Sequence, residues 1–413
     1  MIIRRLLWTI LALAVTTAQA VEPFETSVSV SGGPAQLRGF QAIEDMLDSF
    51  RDSGFAANSG YTGTEAVSAA INLRGFQGMS LSYPTAGSPT LVLSIPALGI
   101  NETFNGATRD QSQQLLRDYF KGSNSATLPA LLKALVANSP IDPVAGNPLS
   151  LMGQMAQSDF DAAMGGAGSS AAAAAASATG SEQRNFVSVG ARLGKYSQRE
   201  FDSTYFHVPL GYTHLFSDRR YGLSIDVPLT YIDYNGAKSY SFSIGASLRM
   251  PTGVAGWSLA PGLRFGATAS PDLGAAAMLY SLGLSSLYDF AALGRYQLSL
   301  VNMLATYRTQ DIKAGGYNIS YDLSNTVFRN GLVLQRDIDQ ELLGTPLMWE
   351  AHLVRTDFTG DALYSRYSDE IAFSVGTRRR SNDIVWNALR LGLNYMRGGG
   401  GISGLSVNFG YTF

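Results

Sequence analysis

The side chains best suited to chemistry are few in this chain and poorly spaced for it. Its 413 residues include three histidines and no cysteine. His207, His214 and His352 all fall in the second half, so the first half cannot assemble a Ser-His triad. No G-x-S-x-G segment occurs, which removes the sharp turn that would expose a hydrolase serine. His207 and His214 stand seven apart. On one strand that spacing sends them to opposite faces, His207 with Pro209, Gly211 and Thr213, and His214 to an interface. There is no histidine cluster with metal-ligand spacing, no phosphate-binding glycine loop and no P-loop. The expectation is a protein without catalytic residues, metal or cofactor. The missing cysteines also exclude disulfide staples and thiol nucleophiles, and they suit an exported chain.

The charges worth following are Arg192, Arg249, Arg264, Arg390, Asp226 and Glu350, because of the segments that carry them. From Ser403 to Phe413, Leu405, Val407, Phe409, Tyr411 and Phe413 alternate without error with Gly404, Ser406, Asn408, Gly410 and Thr412. A strand puts those two sets on opposite faces. The same pattern runs through Tyr221–Tyr231 and Tyr240–Met250, one face oily and the other small or polar. Further strands fit Val187 to Leu193, Phe206 to Phe216, Trp257 to Ala267, Met278 to Tyr288, Tyr296 to Tyr307, Leu347 to Arg355, Ile371 to Thr377 and Val385 to Tyr395. One irregular strand or broken pair fits between Tyr317 and Arg336. Turn residues separate them, Asn235-Gly236 and Ser270-Pro271-Asp272 among others. The count is about twelve strands in residues 184–413. Extrapolated parity points all six charges to the polar face, as lumen-lining residues of a closed barrel. A charge facing lipid near the midplane costs about 2–4 kcal/mol, so inward is the permitted direction.

Composition supports a membrane setting. Charged residues are 15% of the chain against a typical ~25%, and 44 residues are Gly. Residues 1–20 read as a cleavable export signal, with Arg4 and Arg5, an apolar run from Leu6 to Val15 and Ala18-Gln19-Ala20. Without Arg4 and Arg5 the 30 Lys+Arg become 28, against 32 Asp+Glu, so the balance carries no basic footprint for nucleic acid. Past that signal no apolar run approaches the ~18 residues of a membrane helix. A membrane protein without such a helix has to be a closed barrel, since only helices and closed barrels satisfy every backbone polar group in lipid. Aromatics at the ends of the oily faces, Tyr221, Tyr231, Tyr240, Trp257, Tyr296, Tyr395, Tyr411 and Phe413, match an interfacial girdle. The fold class is therefore mainly β: a C-terminal transmembrane antiparallel β-barrel of about 12 strands, preceded by a small α+β N-terminal domain.

That domain spans residues 21–164. Phe40, Ile43, Leu47 and Phe50 share one helical face. Met79 to Tyr83 and Leu91 to Ile95 suggest a strand pair, and helices fit Arg109 to Phe120, Leu128 to Val136 and Leu149 to Met164. The pentapeptide Leu37-Arg38-Gly39-Phe40-Gln41 recurs as Leu73-Arg74-Gly75-Phe76-Gln77 with unrelated flanks, which reads as coincidence. Residues 165–183, GGAGSSAAAAAASATGSEQ, form a linker or a pore-spanning helix.

The ending Phe409-Gly410-Tyr411-Thr412-Phe413 resembles the C-terminal signature of bacterial outer-membrane proteins. That resemblance implies that Phe409, Tyr411 and Phe413 act as the membrane-insertion signal. It further implies residence in the outer membrane of a Gram-negative bacterium, with outer-membrane lipid, lipopolysaccharide and the assembly machinery as partners. A barrel of about twelve strands after a glycine- and alanine-rich stretch is similar to the translocator domain of autotransporters. Two functions stay open: an autotransporter-like translocator or anchor for its own N-terminal domain, and a gated channel or substrate-specific porin with a periplasmic or plugging N-terminal domain.

Overall fold

The computed structural model describes residues 21–121, 126–164, 184–217, 221–292, 294–314, 317–342, 345–377 and 389–412. The export signal, the 165–183 segment and Phe413 lie outside these residues.

The N-terminal unit is a six-stranded antiparallel sheet with helices against one face. Its strands are β1 (Phe24–Val30), β2 (Gln36–Phe40), β3 (Val67–Leu73), β4 (Phe76–Tyr83), β5 (Thr90–Ile95) and β6 (Ile100–Asn105), ordered β2-β1-β3-β4-β5-β6. The helices are α1 (Ile43–Asp48), α2 (Asp52–Phe55), α3 (Arg109–Lys121) and α4 (Thr127–Asn138). The expected strand pair is β4 and β5, joined at Ser80↔Ser94 and Leu81↔Leu93. The helical face expected through Phe40 and Phe50 is broken up. Phe40 ends β2, paired with Phe24, and Phe50 is buried in the turn between α1 and α2. Pairing with β1 overrides a 3.6-residue periodicity that spanned only three turns. The two pentapeptide copies adopt different structures. Leu37–Phe40 lie in β2, whereas Arg74 (φ 53) and Gly75 (φ 91) make the left-handed turn between β3 and β4.

One exposed turn in this unit carries a pH-dependent cap. The Glu65 carboxylate accepts from the Thr62 hydroxyl at 2.5 Å and from the backbone N–H groups of Thr62, Gly63 and Thr64 at 2.7, 3.1 and 3.2 Å. These bonds, the Thr62 hydroxyl first, hold its pKa down at about 2. A depressed carboxylate contributes stability above its unfolded value of ~4.3 and loses it as pH falls towards 2. The Glu65 carboxyl carbon is thus expected to titrate by NMR with a midpoint near 2. A midpoint near the ordinary value would remove this cap.

The second unit is the barrel. Its strands are β7 (Asn185–Gln198), β8 (Phe201–Val208 continued by Leu210–Leu215), β9 (Gly222–Asp226 continued by Leu229–Tyr234), β10 (Ala237–Pro251), β11 (Trp257–Ser270) and β12 (Ala275–Asp289). They continue as β13 (Tyr296–Gln310), β14 (Ser324–Leu342), β15 (Thr345–Gly360), β16 (Tyr367–Thr377), β17 (Leu389–Gly398) and β18 (Ile402–Thr412). Pro209 and Pro228 interrupt β8 and β9, because proline has no N–H for the ladder, so fourteen hydrogen-bonded segments make twelve strands. The ladder bridges both breaks through Gly190 N to Pro209 O at 3.0 Å and Ser243 N to Pro228 O at 3.2 Å. Each strand pairs with the next, and β18 closes on β7 from Ile402↔Gln198 to Thr412↔Ser188. Among the described strands no barrel edge is left open, as a lipid setting requires.

The outward face is apolar and bare: Leu282 is 70% exposed, Leu263 61% and Leu391 59%. Burying such side chains stabilises by about 1.5–3 kcal/mol each, and no other part of the described chain covers them, so lipid is the complement. Aromatics ring both ends, with Tyr212, Trp257 and Tyr296 towards the rim where β7 begins and Tyr240, Tyr367 and Tyr395 towards the other. We call these the chain-end rim and the far rim.

Candidate functional site: an occupied lumen

The helix α5 (Leu151–Ala163) runs inside the barrel. From its sequence this stretch is expected in the N-terminal domain, with 165–183 as a linker or a pore-spanning helix. The structure puts α5 in the lumen, and 165–183 lie outside the described residues. The physical reason is legible in α5 itself. Leu151, Met152, Met155, Ala156 and Phe160 are all buried, and so are Gly153, Gln154 and Ser158 on its other sides. A helix without a wet face belongs in an interior. Ser150 caps it, its Oγ accepting from Gly153 N at 3.4 Å.

The wall is shaped to receive the helix. At Gly266 an added Cβ would stand 2.8 Å from Met155 Sδ and 3.1 Å from a Leu151 methyl. At Gly331 it would stand 2.7 Å from the Phe160 ring. The inward positions of β12 to β14 are not the small polar set that alternation suggests. Leu279, Val301, Met303, Tyr307 and Val327 are buried there against the plug in one continuous core. An open aqueous channel would leave these groups in water.

Charge then fixes the helix in register. Asp159 sits on α5 among three donors: Arg264 Nε at 2.7 Å, Ser281 Oγ at 3.0 Å and Tyr307 Oη at 2.6 Å. Arg264 turns its other nitrogens to Asp226, at 2.6 and 2.8 Å, and to Ser243 Oγ at 3.1 Å. Gly245, directly across the ladder from Arg264, leaves room for that guanidinium, since a Cβ there would lie 2.4 Å from Nη2. Arg264 is 2% exposed. A bidentate, hydrogen-bonded arrangement of this kind is what lets a buried ion pair offset its desolvation.

Of the six charges singled out in the sequence, the structure brings Asp226 and Arg264 together, and separately Glu350 and Arg390, 2.9 Å apart. His352 also contacts Glu350. Arg192 lines a cavity beside α5 with Asp161, Arg329 and Glu370. Arg249 joins none of the other five; it lies two residues beyond Ser247 on the same side of β10, near the chain-end rim, within electrostatic reach of Asp289. His207 is buried, with Nδ1 2.8 Å from Thr230 Oγ1, and His214 stands 2.7 Å from Asn185 Oδ1 near the chain-end rim. Phe409 is exposed on the outer face and Tyr411 half-buried.

Sequence reasoning missed Asp159, Asp161, Arg329 and Glu370. Arg329 pairs with Glu370 at 2.9 Å, and its guanidinium lies 5.0 Å from the centre of the Phe160 ring. The signal available was weak. Arg329 lies in the irregular 317–336 stretch, and Glu370 lies one residue before the expected start of its strand.

The far rim holds the N-terminal unit. Ile43 N donates to Asp272 O at 2.9 Å, Asn235 Nδ2 to Val21 O at 2.9 Å and Tyr364 N to Val136 O at 3.0 Å. Lys133 pairs with Asp361 at 2.9 Å. The chain therefore stands on one rim at residue 136 and starts its first barrel strand at the other, beside His214, at residue 185. Between them α5 covers roughly 20 Å of the crossing, at about 1.5 Å per residue.

Neither a family model nor a curated protein matches the sequence. Among solved structures, the beta domain of the Bordetella autotransporter BrkA is similar over 56% of this chain and 99% of that one, at 16% identity and TM-score 0.41. The translocator domain of the autotransporter NalP from Neisseria meningitidis is similar over 63% and 95%, at 13% identity and TM-score 0.40. An outer membrane channel from Pseudomonas putida F1 is similar over 56% and 95%, at 12% identity and TM-score 0.39. Translocators and channels stand side by side in this set, so the choice between them has to come from this chain's own geometry.

Proposed function

We propose that this protein is an outer-membrane anchor that threads its own chain through its barrel and presents its N-terminal unit at the membrane surface, in the manner of an autotransporter translocator. The observation that supports this reading is the chain path: N-terminal unit on the far rim, α5 in the lumen, β7 starting at the opposite rim. Twelve is an even number of strands, which puts both barrel ends on one side, the periplasmic side in barrels of this type. The far rim and its cargo then face outward. Phe409, Tyr411 and Phe413 serve as the insertion signal read by the assembly machinery, and lipopolysaccharide surrounds the outer half of the belt. The role is anchoring and display, without a reaction of its own.

The absence of cysteine makes a direct test available. Asn101→Cys places one thiol on the exposed strand β6, and Val254→Cys places one at the chain-end rim. A membrane-impermeant maleimide applied to intact cells is expected to label the first variant and to reach the second only after the outer membrane is opened. The reverse pattern would mean a periplasmic N-terminal unit and would favour the gated-channel alternative.

A further inference from the structure

We infer that the N-terminal unit is a fixed cap rather than a tethered passenger: side-chain and backbone contacts alone hold it to the barrel, and the two stay together when the chain joining them is cut. This goes beyond the proposed display function and holds whichever side of the membrane the far rim faces.

Four observations carry it. First, the hydrophobic core does not divide between the units. Phe76, Val136 and Ile141 belong to the same buried cluster as Tyr234, Leu323 and Leu363 of the barrel's far end. Second, residues 139–150, which link α4 to α5, are buried without exception, whereas connecting segments ordinarily run over the surface. Their backbone groups are satisfied inside the mouth: Gly146 O accepts from Ser365 N of the barrel at 2.7 Å, and Leu151 N donates to Pro143 O at 2.9 Å. Third, Arg74 of the β3–β4 turn meets Asp142 at 3.2 Å, with side chains 2% and 0% exposed, so this ion pair is shut away from water at the covered mouth. Fourth, α5 belongs to the same stretch of chain as the cap and is held below it by Arg264 and Arg329. A passenger built to be released would show a wet, separable joint, and this joint is dry and interlocked.

One residue makes the joint testable. Gly146 has φ +94, and a Cβ there would lie 2.3 Å from Val136 O and 3.6 Å from Tyr364 N, so alanine is strained both by its backbone conformation and by its neighbours. The experiment uses the full chain, purified in detergent, with a site-specific protease sequence inserted between Ala173 and Ala174. After complete cleavage, checked on a denaturing gel, the sample is run on a size-exclusion column in native detergent buffer immediately and after a day. The expected result is a single peak containing both fragments at both times. Adding Gly146→Ala is expected to raise the released fraction several-fold, while the barrel keeps its heat-modifiable migration. Prompt elution of the N-terminal fragment on its own would overturn the inference. So would equal retention in a protein carrying Gly146→Ala together with Asp159→Ala and Phe160→Ala, because neither the rim joint nor the contacts of α5 would then be what holds the cap. Failure of surface labelling in cells would instead revise the orientation and leave this result standing.

Discussion

Deleting residues 21–183 is expected to convert a closed barrel into a steadily conducting one. In planar bilayers the full-length protein should pass almost no current, because α5 occupies the lumen and the cap covers its far end. Twelve strands lie between the eight whose interior side chains fill and the sixteen or more that leave an aqueous channel, so an emptied lumen of this size has room for ions. The deletion would also leave Arg192, Arg249, Arg264, Arg329 and Arg390 facing Asp226, Glu350 and Glu370, since α5 takes Asp159 and Asp161 away with it. The emptied pore should therefore prefer anions. A milder version keeps the chain whole. Asp159→Ala with Phe160→Ala removes the carboxylate that three donors share and the ring beneath Arg329. Breaking a buried pair on one side costs about 3–5 kcal/mol, and each ~1.4 kcal/mol is a factor of ten, so the open fraction should rise on the order of a hundredfold or more. Equal conductance in wild type and both variants would mean that α5 does not close the pore.

The barrel was readable in the sequence because lipid imposes a period-two rule on every strand, and that rule needs no partner to be known. Tyr240 to Met250 announces its two faces unaided, and β10 alternates buried and exposed from Ala237 to Gly245 before its remaining residues become half-buried. The plug was harder to see for a physical reason. Whether Leu149 to Met164 packs on a soluble sheet or inside a barrel depends on what surrounds it, and both settings want an apolar helix. One local signal could have decided it. The inward positions of β12 to β14 carry Leu279, Val301, Met303 and Val327, which an aqueous lumen would not favour, whereas α5 itself shows a polar stripe of Gln154, Gln157, Ser158 and Asp161. Large apolar side chains on the inward face of neighbouring strands point to a filled barrel. The charges show the same limit. Strand parity placed Arg264 and Asp226 together inside, but the third member, Asp159, comes from a helix whose location only the tertiary fold decides. The cap joint was the least legible part. Ser139-Pro140-Ile141-Asp142-Pro143 and Gly146-Asn147-Pro148 carry every mark of a surface turn, and their burial results from docking on the rim.

The occupied lumen also changes what substitutions on the two barrel faces should do. Ile244 is 48% exposed on the outer side of β10, with Leu263 and Leu282 around the same height on the strands beside it. Arginine at Ile244 puts a charge against the lipid midplane at about 2–4 kcal/mol, so Ile244→Arg should leave most of the barrel unfolded, as read by heat-modifiable migration. Its neighbour Ser243 points inward, where an empty pore would accept arginine readily. Here Ser243 is 3% exposed and takes a hydrogen bond from Arg264 at 3.1 Å, so a second guanidinium would meet both a like charge and α5. Ser243→Arg is therefore expected to fail in the full-length chain and to fold once residues 21–183 are removed, while Ile244→Arg fails in both. That interaction between an inward substitution and a distant deletion separates a plugged barrel from a soluble sandwich, whose two faces would not depend on the deletion. It also separates it from an open pore, which would tolerate Ser243→Arg from the start.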